Sequence, residues 1–198
     1  MDQTCCQTVD FPGQAKFIAA VDAAVTCGGD QHAVTAALRN ALCTLIRDTE
    51  VELPCCVHEA ILDHYARREL YRSPQHGYSV VAMTWGPGQG TPLHDHSGLW
   101  CVEGVWHGEL EITQYELLEL NGDRARFRAA GGMRAGPGSA GSLIPPHEYH
   151  TIRNASTDSV AVSLHIYQAE MACCAKFQPQ SGEWYVREAA TLATDKAA

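Results

Sequence analysis

The sequence predicts a mainly β fold, a sandwich or barrel with an N-terminal helical cover. Three observations carry this. Helical spacing of apolar residues runs only to about residue 71, strand-like runs begin at Tyr78, and turn signals then recur at short intervals. Phe17, Ile18, Val21, Ala24 and Val25 share a helical face that Cys27-Gly28-Gly29 ends. Asp30 is placed to cap a second helix carrying Val34, Ala37, Leu38, Leu42 and Leu45 on one face. A third helix is expected around Val57, Ile61, Leu62 and Tyr65. The run from Ser79 to Trp85 is β-rich and is closed by Gly86-Pro87-Gly88. Further strands are expected over 98–106, 110–120, 124–128 (beyond an Asn121-Gly122 turn), 142–144, 149–154 and 160–167, with a glycine-rich loop at 131–141. No repeat or low-complexity linker divides the chain. A single domain is therefore expected over residues 1–198, with helices in 13–71 and a β core in 78–170.

Composition narrows the function classes. Fourteen basic residues against 23 acidic ones give a net charge of -9, a field that repels phosphate backbones and argues against nucleic acid. No apolar run reaches the ~18 residues of a membrane span, and the first residues lack the basic and apolar regions of a secretory leader. Six of the nine cysteines sit in adjacent pairs, which bridge each other only through a strained small ring. Free thiols in a reducing cytoplasm are the expectation.

The histidines point to a metal. His94 and His96 stand at i and i+2, so on a strand both imidazoles project from one face and can share an ion. With Gly88 and Gly108 they fit the spacing G-x5-H-x-H-x4-[position]-x6-G, which resembles the first metal-binding motif of the cupin superfamily. That motif has glutamate at the bracketed position, where this chain has Cys101; Glu103 lies two residues later with the same strand parity. The segment from Pro145 to Asn154 resembles the second cupin motif, with His150 in the ligand place and Asn154 as the closing asparagine. It departs from that motif at His147 and Ser139, where turn glycines are expected. Three neutral histidines suit zinc, iron, nickel or copper by ligand softness alone.

A further pattern narrows the chemistry. In Val162 to Tyr167 the apolar residues alternate with Ser163, His165 and Tyr167, so one strand face presents hydroxyl, imidazole and phenol in a row. Such a row, if joined by hydrogen bonds, can orient the phenol. A three-histidine cupin with cysteine in the glutamate place, followed by a Ser-x-His-x-Tyr strand, resembles the thiol dioxygenases, and specifically the cysteine dioxygenase family, over about residues 57–170. The resemblance implies a cupin β-barrel, a jelly-roll-like sandwich. It further implies mononuclear iron(II), Fe(II), held by His94, His96 and His150, and a small thiol whose sulfur receives both atoms of O2.

The same resemblance supplies a substrate-binding arginine from a Tyr-x-Arg segment. Tyr65-Ala66-Arg67 matches, with Arg68 as its neighbour, and Tyr167 would share the task. A guanidinium offers carboxylate a planar fork. His165 and Ser163 would support the phenol. In animal relatives the cysteine at the Cys101 position is joined to the strand tyrosine, so a Cys101–Tyr167 thioether is an expectation here. L-cysteine is the expected substrate. Alternatives are 3-mercaptopropionate, whose dioxygenases resemble this chain through Gly86 to Pro92, a non-catalytic ligand-binding cupin, and a zinc isomerase or lyase.

Overall fold

The computed structural model describes residues 9–197, so Cys5 and Cys6 lie outside the described residues. Two helices lead, α1 (Gln14–Val25) and α2 (Gln31–Leu45). Gly28 and Gly29, both at positive φ, separate them, and the Asp30 carboxylate accepts the His32 and Ala33 amides at 3.0 Å each, as the cap reading expects. No helix among the described residues is long and apolar enough to cross a membrane.

The expected third helix is absent. Cys55–His58 forms one 3-10 turn, and Ala66–Arg72 is a strand, β1, antiparallel to β2 (Ser79–Trp85). Arg, Glu and Leu are good helix formers, but β2 is buried along its whole length and needs a partner on that edge, so sheet pairing overrides local propensity. The remaining strands are β3 (Leu93–His94), β4 (Cys101–His107), β5 (Leu110–Asn121), β6 (Arg124–Ala135), β7 (Ala140–Leu143), β8 (His150–Asn154), β9 (Ala161–Tyr167), β10 (Cys173–Pro179) and β11 (Trp184–Thr191). β6 runs through Gly131 and Gly132, where a loop was expected, because the β5 ladder continues across two bulges. β10 and β11 extend the β body beyond residue 170.

The strands form a five-stranded sheet in the order β1-β2-β9-β4-β7 and a closed barrel-like sheet in the order β10-β11-β6-β5-β8-β3. This is the jelly-roll-like β sandwich. One face of the five-stranded sheet, with Val80, Ala82, Val102, Leu164 and Ile166, packs on the helices through Phe17, Val21, Leu38 and Leu42. Its other face, with Met83, Cys101, Val105 and Tyr167, meets Leu110, Ile152 and Cys174 of the second sheet. β9 is therefore covered on both sides, and its Ser163, His165 and Tyr167 face the barrel interior, not solvent.

The approach to the histidines is fixed by close backbone contact. Gly90 bridges to Arg153, the Thr91 amide donates to the Ile152 carbonyl at 2.8 Å, and a Cβ on Gly90 would stand 2.6 Å from that same carbonyl oxygen. Gly90→Ala must push the Gly88–His94 segment away from β8. We expect a loss of about 1–3 kcal/mol of stability, read as a lower denaturation midpoint, together with weaker metal retention. An unchanged midpoint contradicts this account.

Candidate metal centre

β3 and β8 pair at a single register point, His94 opposite His150, and His96 follows two residues on. The three rings converge with centroids 4.5 Å apart for His94–His150, 5.1 Å for His96–His150 and 5.4 Å for His94–His96. One nitrogen from each lies within 4.8 Å of the others, a spacing at which one ion can bind all three.

The proton positions suit a metal. His150 Nδ1–H donates to the Glu148 carbonyl at 2.7 Å and His94 Nδ1–H to the Pro92 carbonyl at 3.1 Å, which leaves Nε2 of each ring free as a lone-pair donor. His150 Nε2 is buried with no hydrogen-bond partner, the condition of an atom awaiting a ligand. Burial lowers the pKa of His94 to about 4 and those of His96 and His150 well below the usual histidine value. All three therefore remain neutral, the form that binds metal.

A small pocket adjoins the cluster, about 20 Å³, lined by His94, His96, Tyr167 and Arg67, with Tyr65, Trp85 and Met171 among its walls. Strand parity decides between the two arginines. Arg67 stands opposite Met83 on the interior face; Arg68, opposite Ala82, points the other way and ties β2 to the 3-10 turn through Thr84 Oγ1 and the Glu59 carbonyl, each at 2.9 Å. Arg67 donates to the Met171 and Ala193 carbonyls at 3.2 and 3.1 Å, using two of its five N–H groups. Its backbone is clamped by Asp195, whose carboxylate accepts the Arg67 amide at 2.8 Å and whose own amide donates to the Arg67 carbonyl at 2.7 Å.

The polar row on β9 differs in detail from the expectation. Ser163 Oγ accepts the Trp85 indole N–H at 2.9 Å and lies 2.8 Å from His165 Nε2. His165 thus turns Nε2 to the serine and not to the phenol, and its ring stacks beside Tyr167 at 6.0 Å. Cys101 stands directly opposite Tyr167 across the β4–β9 ladder, with sulfur and hydroxyl adjacent. Burial raises the pKa of both groups well above their usual values, so each holds its proton.

Glu103 is the residue whose place the sequence left open. It stands opposite His165, is 7% exposed, and its Oε2 lies 3.5 Å from His165 Nδ1 and 3.8 Å from His150 Nε2. Burial raises its pKa to about 8. It lies outside the three-histidine cluster. The parity shared with Cys101 was the only signal for its inward position.

Comparison with known proteins follows the same lines. A profile of the family described as Cysteine dioxygenase type I matches residues 44–180. The chain is 22% identical over 125 residues to "Cysteine dioxygenase type 1" of Rattus norvegicus, covering 60% of this chain and 62% of that protein. It is 23% identical over 105 residues to the protein of the same name from Danio rerio, covering 53% of this chain and 52% of the relative. The chain thus spans less than two thirds of the length of these curated relatives. Among solved structures, the TT1209 protein from Thermus thermophilus aligns at 20% identity with a TM-score of 0.45, covering 60% of this chain and 96% of that one. With 137 of its 198 residues inside the matched profile, this chain belongs to the cysteine dioxygenase type I family.

Proposed function

We propose that the protein is a thiol dioxygenase that converts L-cysteine and O2 to cysteine sulfinic acid, with His94, His96 and His150 holding iron(II). The supporting observation is that a cluster of three neutral imidazoles opens, through His94 and His96, on one small pocket that also holds a buried guanidinium, Arg67. Iron(II) bound there would supply the redox chemistry by which O2 combines with a thiolate; both oxygen atoms go to sulfur, so RSH and O2 account for the product completely. The protein's own part is positioning. Arg67 retains three N–H groups for a substrate carboxylate, and the protonated Tyr167 hydroxyl is a second donor beside it. Tyr65, stacked on Trp85 at 4.7 Å, and Met171 exclude water from the sulfur. His165, stacked beside Tyr167 and held in turn by Ser163, is its positioning residue.

One observation favours 3-mercaptopropionate as an alternative substrate. No acidic side chain is among the described residues lining the pocket, so none receives the ammonium group of cysteine. Oxygen consumption by anaerobically iron-loaded protein, with L-cysteine and 3-mercaptopropionate in parallel, decides between them. Silence with both overturns the thiol-dioxygenase reading in favour of a binding cupin, and zinc in the purified protein favours an isomerase or lyase.

His94→Ala is expected to remove bound iron, measured by elemental analysis, and O2 uptake together. Retained iron at one equivalent contradicts the ligand assignment. For Arg67→Gln, loss of a buried charge-assisted contact costs about 2–5 kcal/mol, so kcat/KM for a thiol carboxylate falls roughly 30-fold or more, while Arg68→Gln acts on stability instead. Equal catalytic loss in the two variants contradicts the parity argument. The Cys101–Tyr167 thioether is tested by intact mass after aerobic turnover. Forming a C–S bond from S–H and ring C–H, with O2 as oxidant, removes two hydrogens, so a deficit of ~2 Da is expected in wild type and not in Cys101→Ala.

A further inference from the structure

A second cavity of about 100 Å³ lies in the barrel on the far side of His165 from the Arg67 pocket. Its mouth is at exposed residues, Gln114, Met133 and Ser139, and its inner end is at Glu103, Ser163, His165 and Ile152. The walls between are aliphatic, with Val105, Leu110, Ile112, Ala135 and Leu143. His165 and Ile152 line both cavities, so one layer of side chains separates this passage from the metal centre. At the inner end Glu103 Oε2 has no hydrogen-bond partner and lies 3.8 Å from His150 Nε2.

We propose that this passage admits dioxygen to the metal centre by a route separate from that of the thiol. The inference rests on the dioxygenase reading. The Arg67 pocket is the smaller of the two, and a thiol seated between Arg67 and the histidines would fill it, leaving the second reactant to arrive from elsewhere. That approach has the chemistry suited to a small apolar gas and unsuited to a charged thiol carboxylate, because its walls offer no cation. Xenon enters apolar cavities of comparable size, ~150 Å³, and the stretch between Leu110, Ala135, Leu143 and Ile152 offers it such walls. Ile152 and His165, which line both cavities, are the side chains that must move to join them.

Xenon, as a heavy stand-in for O2, tests this directly. Crystals of the wild-type protein under xenon pressure are expected to show the atom between Leu110, Leu143 and Ile152. Ala135→Phe fills the passage from one wall and Ile112→Trp from another. Either is expected to raise KM for O2 at least fivefold while KM for the thiol stays within twofold. An empty cavity under xenon, a file of ordered waters in its place, or an unchanged KM for O2 in a variant whose crystal structure shows the passage filled overturns the proposal. The xenon experiment needs neither variant nor turnover. Xenon bound in a protein that oxidises neither thiol supports the gas site, and the thiol-dioxygenase reading then fails separately.

Discussion

Three imidazoles, a carboxyl, a phenol and a guanidinium are held out of water inside one β sandwich, and the desolvation of these groups governs the rest of the structure. A buried polar group that lacks a partner costs on the order of 1–3 kcal/mol. The fold meets that cost with backbone carbonyls. Those of Pro92 and Glu148 fix two histidine tautomers, and those of Met171 and Ala193 fix Arg67. Among the described residues His150 Nε2, Glu103 Oε2 and His96 Nδ1 remain unpaired at the centre, and Arg68 Nε and Glu148 Oε2 are unpaired as well. A cation at the three histidines would satisfy the first and lie close to the second. Metal binding there would therefore be coupled to the stability of the barrel.

Strand parity distributes the chemistry. On β9 the same alternation that sends Leu164 and Ile166 into the helices sends Ser163, His165 and Tyr167 into the barrel. On β1 it separates two adjacent arginines into a pocket residue and a brace. On β4 it turns Cys101 and Glu103 inward together, one opposite Tyr167 and the other opposite His165. A one-residue slip of any of these strands would exchange the polar and apolar sets. The two helices guard against such a slip, since Leu38 and Leu42 fill the outer face only when the apolar set points toward them.

Much of this was legible in the sequence because the signals were local. The H-x-H spacing, the alternation through Tyr167 and the Asp30 cap each depend on neighbours within a few residues. The errors arose where distant pairing decides. Residues 66–72 have helical composition and become a strand because β2 requires a partner. Gly131 and Gly132 read as a loop and are carried in a strand by β5. Resemblance alone favours Arg67 over Arg68; strand pairing, with Arg67 opposite Met83 and Arg68 opposite Ala82, turns the two to opposite faces. The passage lined by Leu110, Ala135 and Ile152 gathers residues from several strands, and no local pattern announces it.

The chain's own cysteines set a final constraint. On the proposed function, a centre that oxidises an incoming thiol must not take an internal one as its ligand. Cys101 lies in the barrel beside Tyr167, and Cys174 lines the Arg67 pocket. The species that binds metal is the thiolate. Burial raises the pKa of both thiols, that of Cys101 well above its usual value, and the cations nearby offset this desolvation only in part. Arg67, which favours a thiolate at both cysteines, as Lys176 does at Cys174, has two of its N–H groups committed to carbonyls and the others available to a carboxylate. On that reading an incoming thiol carboxylate would pair with Arg67 and place its sulfur by the histidines. The discrimination between external and internal thiols would then follow from where the guanidinium is anchored, without any difference in the intrinsic chemistry of sulfur.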